Sequence, residues 1–309
     1  MKQIFINLKR FDVAKRLGGI CSIDNPVEWI EWVIDESVSL SIGKLDGFKV
    51  VYLLPESLIP AANARLSAYN EGEVKTIGIG CQGVFRENVK KGGNFGAFTT
   101  NLPAAAAANL GCEWSIIGHS EERKDKLGII STYDPLSKKN EENMKRAKDA
   151  VDSIINNEVI CALESEINVL LCVGETLEEK GEGSFDEQKP RIEKVLRSQL
   201  NAGLKGIDEW IGKRMITIGY EPIWAIGPGK IPPGEEYIGF VSAYIKSVLK
   251  QMYGVDFPVV YGGGLKEENA GMISGIDTID GGLVALTRFS GDIAFEPDGL
   301  RRIINKYIG

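Results

Sequence analysis

Met215-Ile216-Thr217-Ile218-Gly219-Tyr220-Glu221-Pro222 is a short apolar, β-branched run that stops on a carboxylate and a proline. Seven more runs of the same kind recur along the chain, near residues 3–8, 48–54, 75–81, 113–118, 167–173, 257–262 and 278–284. They are almost continuously apolar rather than alternating, which predicts strands covered on both faces, hence parallel strands joined by helical crossovers. Helix signals fall between them. Asn25-Pro26-Val27-Glu28 supplies an N-cap, a first-turn proline and a capping-box glutamate in order. After Gly234, Tyr237, Phe240, Val241, Tyr244, Ile245, Val248, Leu249 and Met252 share one helical face. The stretch from Ser137 to about Ser165 reads as a long helix, and Leu300 to Tyr307 as a short closing one. Eight β-then-α units leave a closed barrel or a doubly wound sheet; the count of eight favours the barrel, which takes ~250 residues and tolerates insertions. No Gly/Ser/Pro-rich linker divides the chain, so the expectation is one α/β domain, a (β/α)8 barrel over residues 1–309.

Composition narrows the function. A net charge of −7 and no basic stripe argue against nucleic acid and anionic membranes as partners. The first residues lack a signal-peptide pattern, and no apolar run approaches the ~20 residues that cross a bilayer. The five cysteines are odd in number, widely spaced and without a C-x-x-C pair, so a reducing, cytoplasmic setting is expected. Histidine occurs once, at His119, which excludes a multi-histidine metal site.

In a barrel of this kind, reactive groups sit at the C-terminal ends of the strands. Asn7 and Lys9 end the first strand, His119 the fourth, Glu221 the sixth and Gly262-Gly263-Gly264 the seventh. On the residues alone, His119 reads equally as a structural histidine or as a catalytic imidazole. Ser120 beside it lacks a G-x-S-x-G elbow, which argues against a serine hydrolase. Glu221, followed by Pro222, Ile223 and Trp224, is expected to be partly desolvated, which makes a carboxylate a better base. Residues 223–230, with an apolar tip between Pro222 and Gly227-Pro228-Gly229, have the character of a lid that excludes water. The three glycines at 262–264 suit either a tight turn or a close approach to phosphate. Gly78-x-Gly80-x-x-Gly83 matches a dinucleotide fingerprint only in spacing: no acidic residue lies about 20 positions on.

Together these residues resemble the triosephosphate isomerase family. The resemblance is carried by Asn7-Leu8-Lys9, Gly96-Ala97-Phe98-Thr99, Gly118-His119-Ser120-Glu121, Cys172-Val173-Gly174-Glu175-Thr176-Leu177-Glu178-Glu179, Tyr220 to Gly227, Tyr261-Gly262-Gly263 and Asp280 to Val284, in the family's order over nearly the whole chain. It implies the TIM barrel fold and an aldose–ketose isomerase of glycolysis and gluconeogenesis, acting on a small phosphorylated sugar without metal or organic cofactor. It also implies a homodimer. Glu221 becomes the base, His119 a neutral electrophile, Lys9 the stabiliser of phosphate and enediolate charge with Asn7 beside it, and Glu121 the residue that orients Lys9. This enzyme is itself a standard example of a glutamate base paired with a neutral histidine.

The implied substrate-binding positions are Gly227, Gly263, Gly264, Ala285, Leu286 and Arg288. Several depart from the family pattern: Gly264 replaces a serine, and Ala285-Leu286 replace a glycine pair. Arg288 reads equally as a replacement phosphate donor or as an exposed helix-start arginine. Pro228 is expected to stiffen the lid. A related ketose phosphate, such as a tetrulose phosphate, is therefore an alternative substrate. A Schiff-base aldolase acting through Lys9 and a non-catalytic sugar-phosphate binder are further alternatives. Extra residues after Lys9 (about 16–26), after the His119 motif (about 127–143) and around the fifth β/α connection lengthen the chain. The first two are expected to reshape the pocket or a subunit interface.

Overall fold

The computed structural model describes every residue except Pro228 and Ser290. The expectation for Pro228 therefore lies outside the described residues. Eight parallel strands close into a barrel in sequence order: β1 (Lys2–Asn7), β2 (Phe48–Leu54), β3 (Ile77–Cys81), β4 (Trp114–Ile117), β5 (Asn168–Val173), β6 (Ile216–Tyr220), β7 (Val259–Tyr261) and β8 (Gly281–Val284). β8 returns to β1 with Phe5 opposite Leu283. Around them run α1 (Pro26–Ser39), α2 (Ile59–Leu66), α3 (Glu71–Val74), α4 (Ala104–Asn109), α5 (Ser120–Tyr133), α6 (Glu141–Glu164), α7 (Leu177–Lys180), α8 (Phe185–Gly203), α9 (Glu235–Tyr253), α10 (Ala270–Ser274) and α11 (Pro297–Ile308).

The strands bury both faces, as their apolar runs require. Phe5, Val51, Leu53, Trp114, Ile116, Leu170, Cys172, Val260 and Leu283 form one cluster inside the barrel. Ile4, Ile6, Val50, Tyr52, Val169, Leu171, Ile218 and Val259 face the helices. Side chains alternate along a strand, so this division decides what reaches the mouth. Gln3, Phe5 and Asn7 share the inward parity of β1. Thr217 and Glu221 share that of β6, and Thr217 Oγ1 donates to Gln3 Oε1 at 2.7 Å. Four residues beyond that buried contact, about 13 Å along the strand, the same face presents Glu221 at the barrel's C-terminal end.

The Asn25 cap and the first-turn proline are realised where they were expected, but the capping box is not: Glu28 Oε1 accepts from Asn25 Nδ2 at 2.8 Å, not from the Asn25 backbone. Asn25 accepts the Val27 N–H at 3.0 Å and Pro26 opens α1. The long helix begins at Glu141 rather than Ser137, because Asn140 caps it and Pro135–Lys138 forms a separate 3-10 turn. The closing helix starts three residues earlier than expected, at Pro297, whose fixed φ suits a first turn.

Candidate active site

β1 delivers Asn7, and the chain then turns sharply at Lys9, whose φ of +40° is unusual for a residue with a side chain. Two bonds hold that turn: the Lys9 N–H donates to Asn7 Oδ1 at 3.0 Å, and Gln82 Nε2 donates to the Lys9 carbonyl at 2.7 Å. Lys9 Nζ then reaches Glu121 Oε1 at 2.6 Å. Burial opposes ionisation of Glu121, but the bond and charge of Lys9, together with other nearby positive charge such as Lys124, outweigh it and hold the carboxyl below its usual range. Asn7, Lys9, Gln82, Ile116, His119 and Glu121 line one cleft of about 210 Å³.

His119 is the N-cap of α5. Its Nδ1 accepts the Glu121 N–H at 3.3 Å, one of the donors that a helix leaves unpaired in its first turn. With Nδ1 engaged as an acceptor, the ring proton belongs on Nε2, which lies 3.2 Å from Glu221 Oε1. The imidazole thus presents Nε2 to the Glu221 carboxylate as a donor.

Glu221 is 2% exposed. Its Oε2 accepts the Ser120 N–H at 2.9 Å and its Oε1 accepts the Ser120 hydroxyl at 3.1 Å. Ser120 is therefore a partner of the carboxylate. Gly174 permits this packing: a Cβ there would lie 1.8 Å from the Glu221 carbonyl oxygen. Burial, together with the nearby Glu221 charge, pushes the Cys172 thiol well above its ordinary range, which keeps it neutral beside that carboxylate.

The segment after Glu221 is tied at its root. Glu175 Oε1 accepts from Trp224 Nε1 at 2.7 Å, Tyr237 Oη at 2.7 Å and Tyr220 Oη at 3.0 Å. Burial raises the Glu175 pKa against the pull of these donors. Lys180 Nζ sits 3.6 Å from the centroid of the Trp224 ring, a favourable cation–π contact. The tip is open: Gly227 is exposed and Ile231 is 83% exposed.

Gly262 and Gly263 pack against the root of that segment, where added Cβ atoms would meet Glu221 Cγ and Pro222 Cγ at 2.9 Å. Gly263, Gly264, Ala285 and Leu286 are half-buried at the ends of β7 and β8. Beyond them the chain forms a hairpin in which Arg288 pairs with Ala294. Arg288 donates Nε–H to the Asp292 carbonyl and pairs through Nη1 with Glu296 at 3.0 Å. These donors are spent inside the hairpin, which favours a structural tie over a phosphate contact.

The residues just ahead of the first inserted region, and the start of the second, adjoin the site. Arg10 lines the cleft, and Lys15 joins Asp292 of the β8 hairpin at 3.0 Å. The outward face of α5, including Ile129 and Tyr133, forms a shallow groove that shares Glu121 with the cleft. The sequence reading missed Gln82 and gave Glu175, quoted only as part of the fifth-strand motif, no role of its own. Gln82 carried a usable signal, a polar residue directly after an apolar strand, whereas Glu175 acquires meaning only when three distant aromatic donors converge on it.

Comparison with known proteins agrees with this geometry. The family model for triosephosphate isomerase matches residues 55–304. The triosephosphate isomerase of Oleidesulfovibrio alaskensis is 32% identical over 212 residues, 68% of this chain and 70% of that protein. That of Finegoldia magna is 31% identical over 74% of this chain and 76% of its own length. The crystal structure of triosephosphate isomerase from Bartonella henselae superposes with a TM-score of 0.67 at 20% identity, covering 100% of this chain and 99% of the other, which shows the shared barrel. With the matched region holding His119, Glu121 and Glu221, the chain belongs to the triosephosphate isomerase family.

Proposed function

We propose that this chain interconverts dihydroxyacetone phosphate and D-glyceraldehyde 3-phosphate, with Glu221 as the proton carrier. The observation that carries the reading is the placement of His119 Nε2 3.2 Å from Glu221 Oε1 beside the cleft that also holds Lys9. Glu221 takes a proton from C1 of the ketose, and the C–H electron pair forms the C1–C2 double bond while the C2 carbonyl oxygen becomes an enediolate oxygen. His119 Nε2–H and the Lys9 ammonium are the donors for that charge, in a site partly shielded from water where such donors act strongly. His119 gives its Nε2 proton to O2 and takes the hydroxyl proton from O1, Glu221 returns its proton to C2, and C1 becomes the aldehyde. Both carboxylate oxygens are engaged by Ser120 here, so the base must leave those bonds to reach a substrate carbon. Asn7 and Glu121 position Lys9.

The phosphate is assigned to backbone N–H groups of Gly227, Gly263, Gly264, Ala285 and Leu286, which need no side-chain donor. Five free, buried cysteines support a reducing compartment, the cytoplasm. A homodimer is supported by the exposed apolar side chains of Phe95 (90%) and, on the α5 groove, Tyr133 (92%).

The test is a coupled isomerase assay on the purified chain with dihydroxyacetone phosphate beside tetrulose phosphates. A kcat/KM for the triose in the range of ~10⁴–10⁸ M⁻¹s⁻¹, exceeding that for any tetrulose, is expected. A preference for a tetrulose phosphate would reassign the substrate while leaving the proton-transfer groups in place.

A further inference from the structure

We propose that Glu122, held by Lys126 and Glu158, is a positioning residue for His119, fixing the peptide from which the imidazole is presented. The kinetic part of this inference rests on the isomerase reading above; the geometric part stands alone. Glu122 Oε2 accepts the N–H of Gly118 at 2.6 Å, a contact that runs from the first turn of α5 back to the residue before His119. Gly118 has φ +76°, in the left-handed region, and a Cβ there would lie 3.0 Å from the Cys172 carbonyl oxygen. Its own carbonyl accepts Arg123 Nε–H at 2.7 Å. Consecutive side chains of α5 thus bind both polar groups of Gly118. The direction in which the chain leaves β4, and with it the direction of the His119 ring, follows from those two bonds.

Glu122 is itself held from behind. Lys126, one helical turn on, donates to Glu122 Oε1 at 2.5 Å and pairs with Glu158 on α6 at 2.9 Å. The side chains of Glu122, Lys126 and Glu158 are only 20%, 16% and 5% exposed. A buried Glu–Lys pair of this kind contributes little net stability over an apolar replacement. Its position directly behind the catalytic imidazole points to geometry as its contribution, because a misplacement of about 1 Å in such a group costs about 100-fold in rate.

The experiment uses the full chain, wild type beside Glu122→Met, Glu122→Gln and Lys126→Met, in the isomerase assay and by ¹⁵N NMR of the imidazole. His119 is the only histidine, so its nitrogen resonances are unambiguous. Glu122→Met, similar in length but without the acceptor, is expected to lower kcat by about 10–100-fold, with KM little changed and the His119 nitrogen resonances shifted or broadened. Glu122→Gln keeps an oxygen for the Gly118 N–H and is expected to restore most of kcat. Lys126→Met releases Glu122 and is expected to act in the same direction; it decides the matter if Glu122→Met does not fold. Folded Met variants with wild-type kcat and unchanged resonances overturn the proposal, as does a Gln variant as impaired as the Met variant. An inactive wild-type chain is instead a failure of the proposed function. The resonances, which need no substrate, then still test the positioning.

Discussion

Glu221 and His119 face one another across the barrel mouth, carboxylate Oε1 to imidazole Nε2 at 3.2 Å. The same carboxylate is bound by the N–H and hydroxyl of Ser120. Carboxylate and imidazole therefore come from the end of β6 and from the start of α5, and the first turn of that helix binds both of them.

Lys9 separates activity from stability. Its ion pair with Glu121 is part-exposed, with side chains 30% and 65% accessible, and such pairs are worth about 0–1 kcal/mol. Lys9→Met is expected to leave urea unfolding within about 1 kcal/mol of wild type while lowering kcat/KM by about 100-fold or more. Parallel denaturation and kinetics check this; equal losses in both would mean that Lys9 is structural.

The root of the segment after Glu221 gives a second prediction. Tyr237 Oη donates to Glu175 at 2.7 Å, both groups being buried. Tyr237→Phe removes one of three donors from that oxygen and is expected to destabilise the chain by about 1–3 kcal/mol, read from the urea midpoint. An unchanged midpoint would show that the Glu175 cluster does not anchor the fold.

Glu158 predicts the pH dependence. Burial and then the charge of Glu122 push its pKa from the ordinary 4.5 up to about 9. A carboxyl raised on folding makes the native state bind more protons than the unfolded chain, so its contribution is fully present below about 4.5 and is lost as pH rises toward about 9. Glu122 is shifted down and acts with the opposite sign in the acid range. Buried Glu175, also raised, adds a slope of the same sign as Glu158. Between pH 6 and 9, Glu158→Gln is therefore expected to flatten, without abolishing, the fall of Tm. A variant whose Tm falls as steeply as wild type would contradict the assignment.

The barrel was legible because each strand is a separate apolar run, and burial on both faces leaves few other arrangements. Asn7, Lys9, His119 and Glu221 were legible for a related reason: each follows such a run immediately, where a polar side chain is costly unless it faces a cleft. Glu122 and Glu158 were not. They lie 36 residues apart on two different helices, and on a helix surface a glutamate is ordinarily a solvated residue; only the packing of α5 against α6 closes Lys126 between them. Arg288 was ambiguous because its partners, Asp292 and Glu296, become neighbours only through the hairpin after β8.

The most direct test of the account is the turnover of Glu221→Gln with glyceraldehyde 3-phosphate, measured beside wild type after far-UV circular dichroism confirms that both are folded. The amide keeps the size of the side chain and cannot accept the substrate proton. A loss of about 10²–10⁴-fold in kcat with the fold intact is the predicted result. Turnover within a few-fold of wild type would contradict Glu221 as the base.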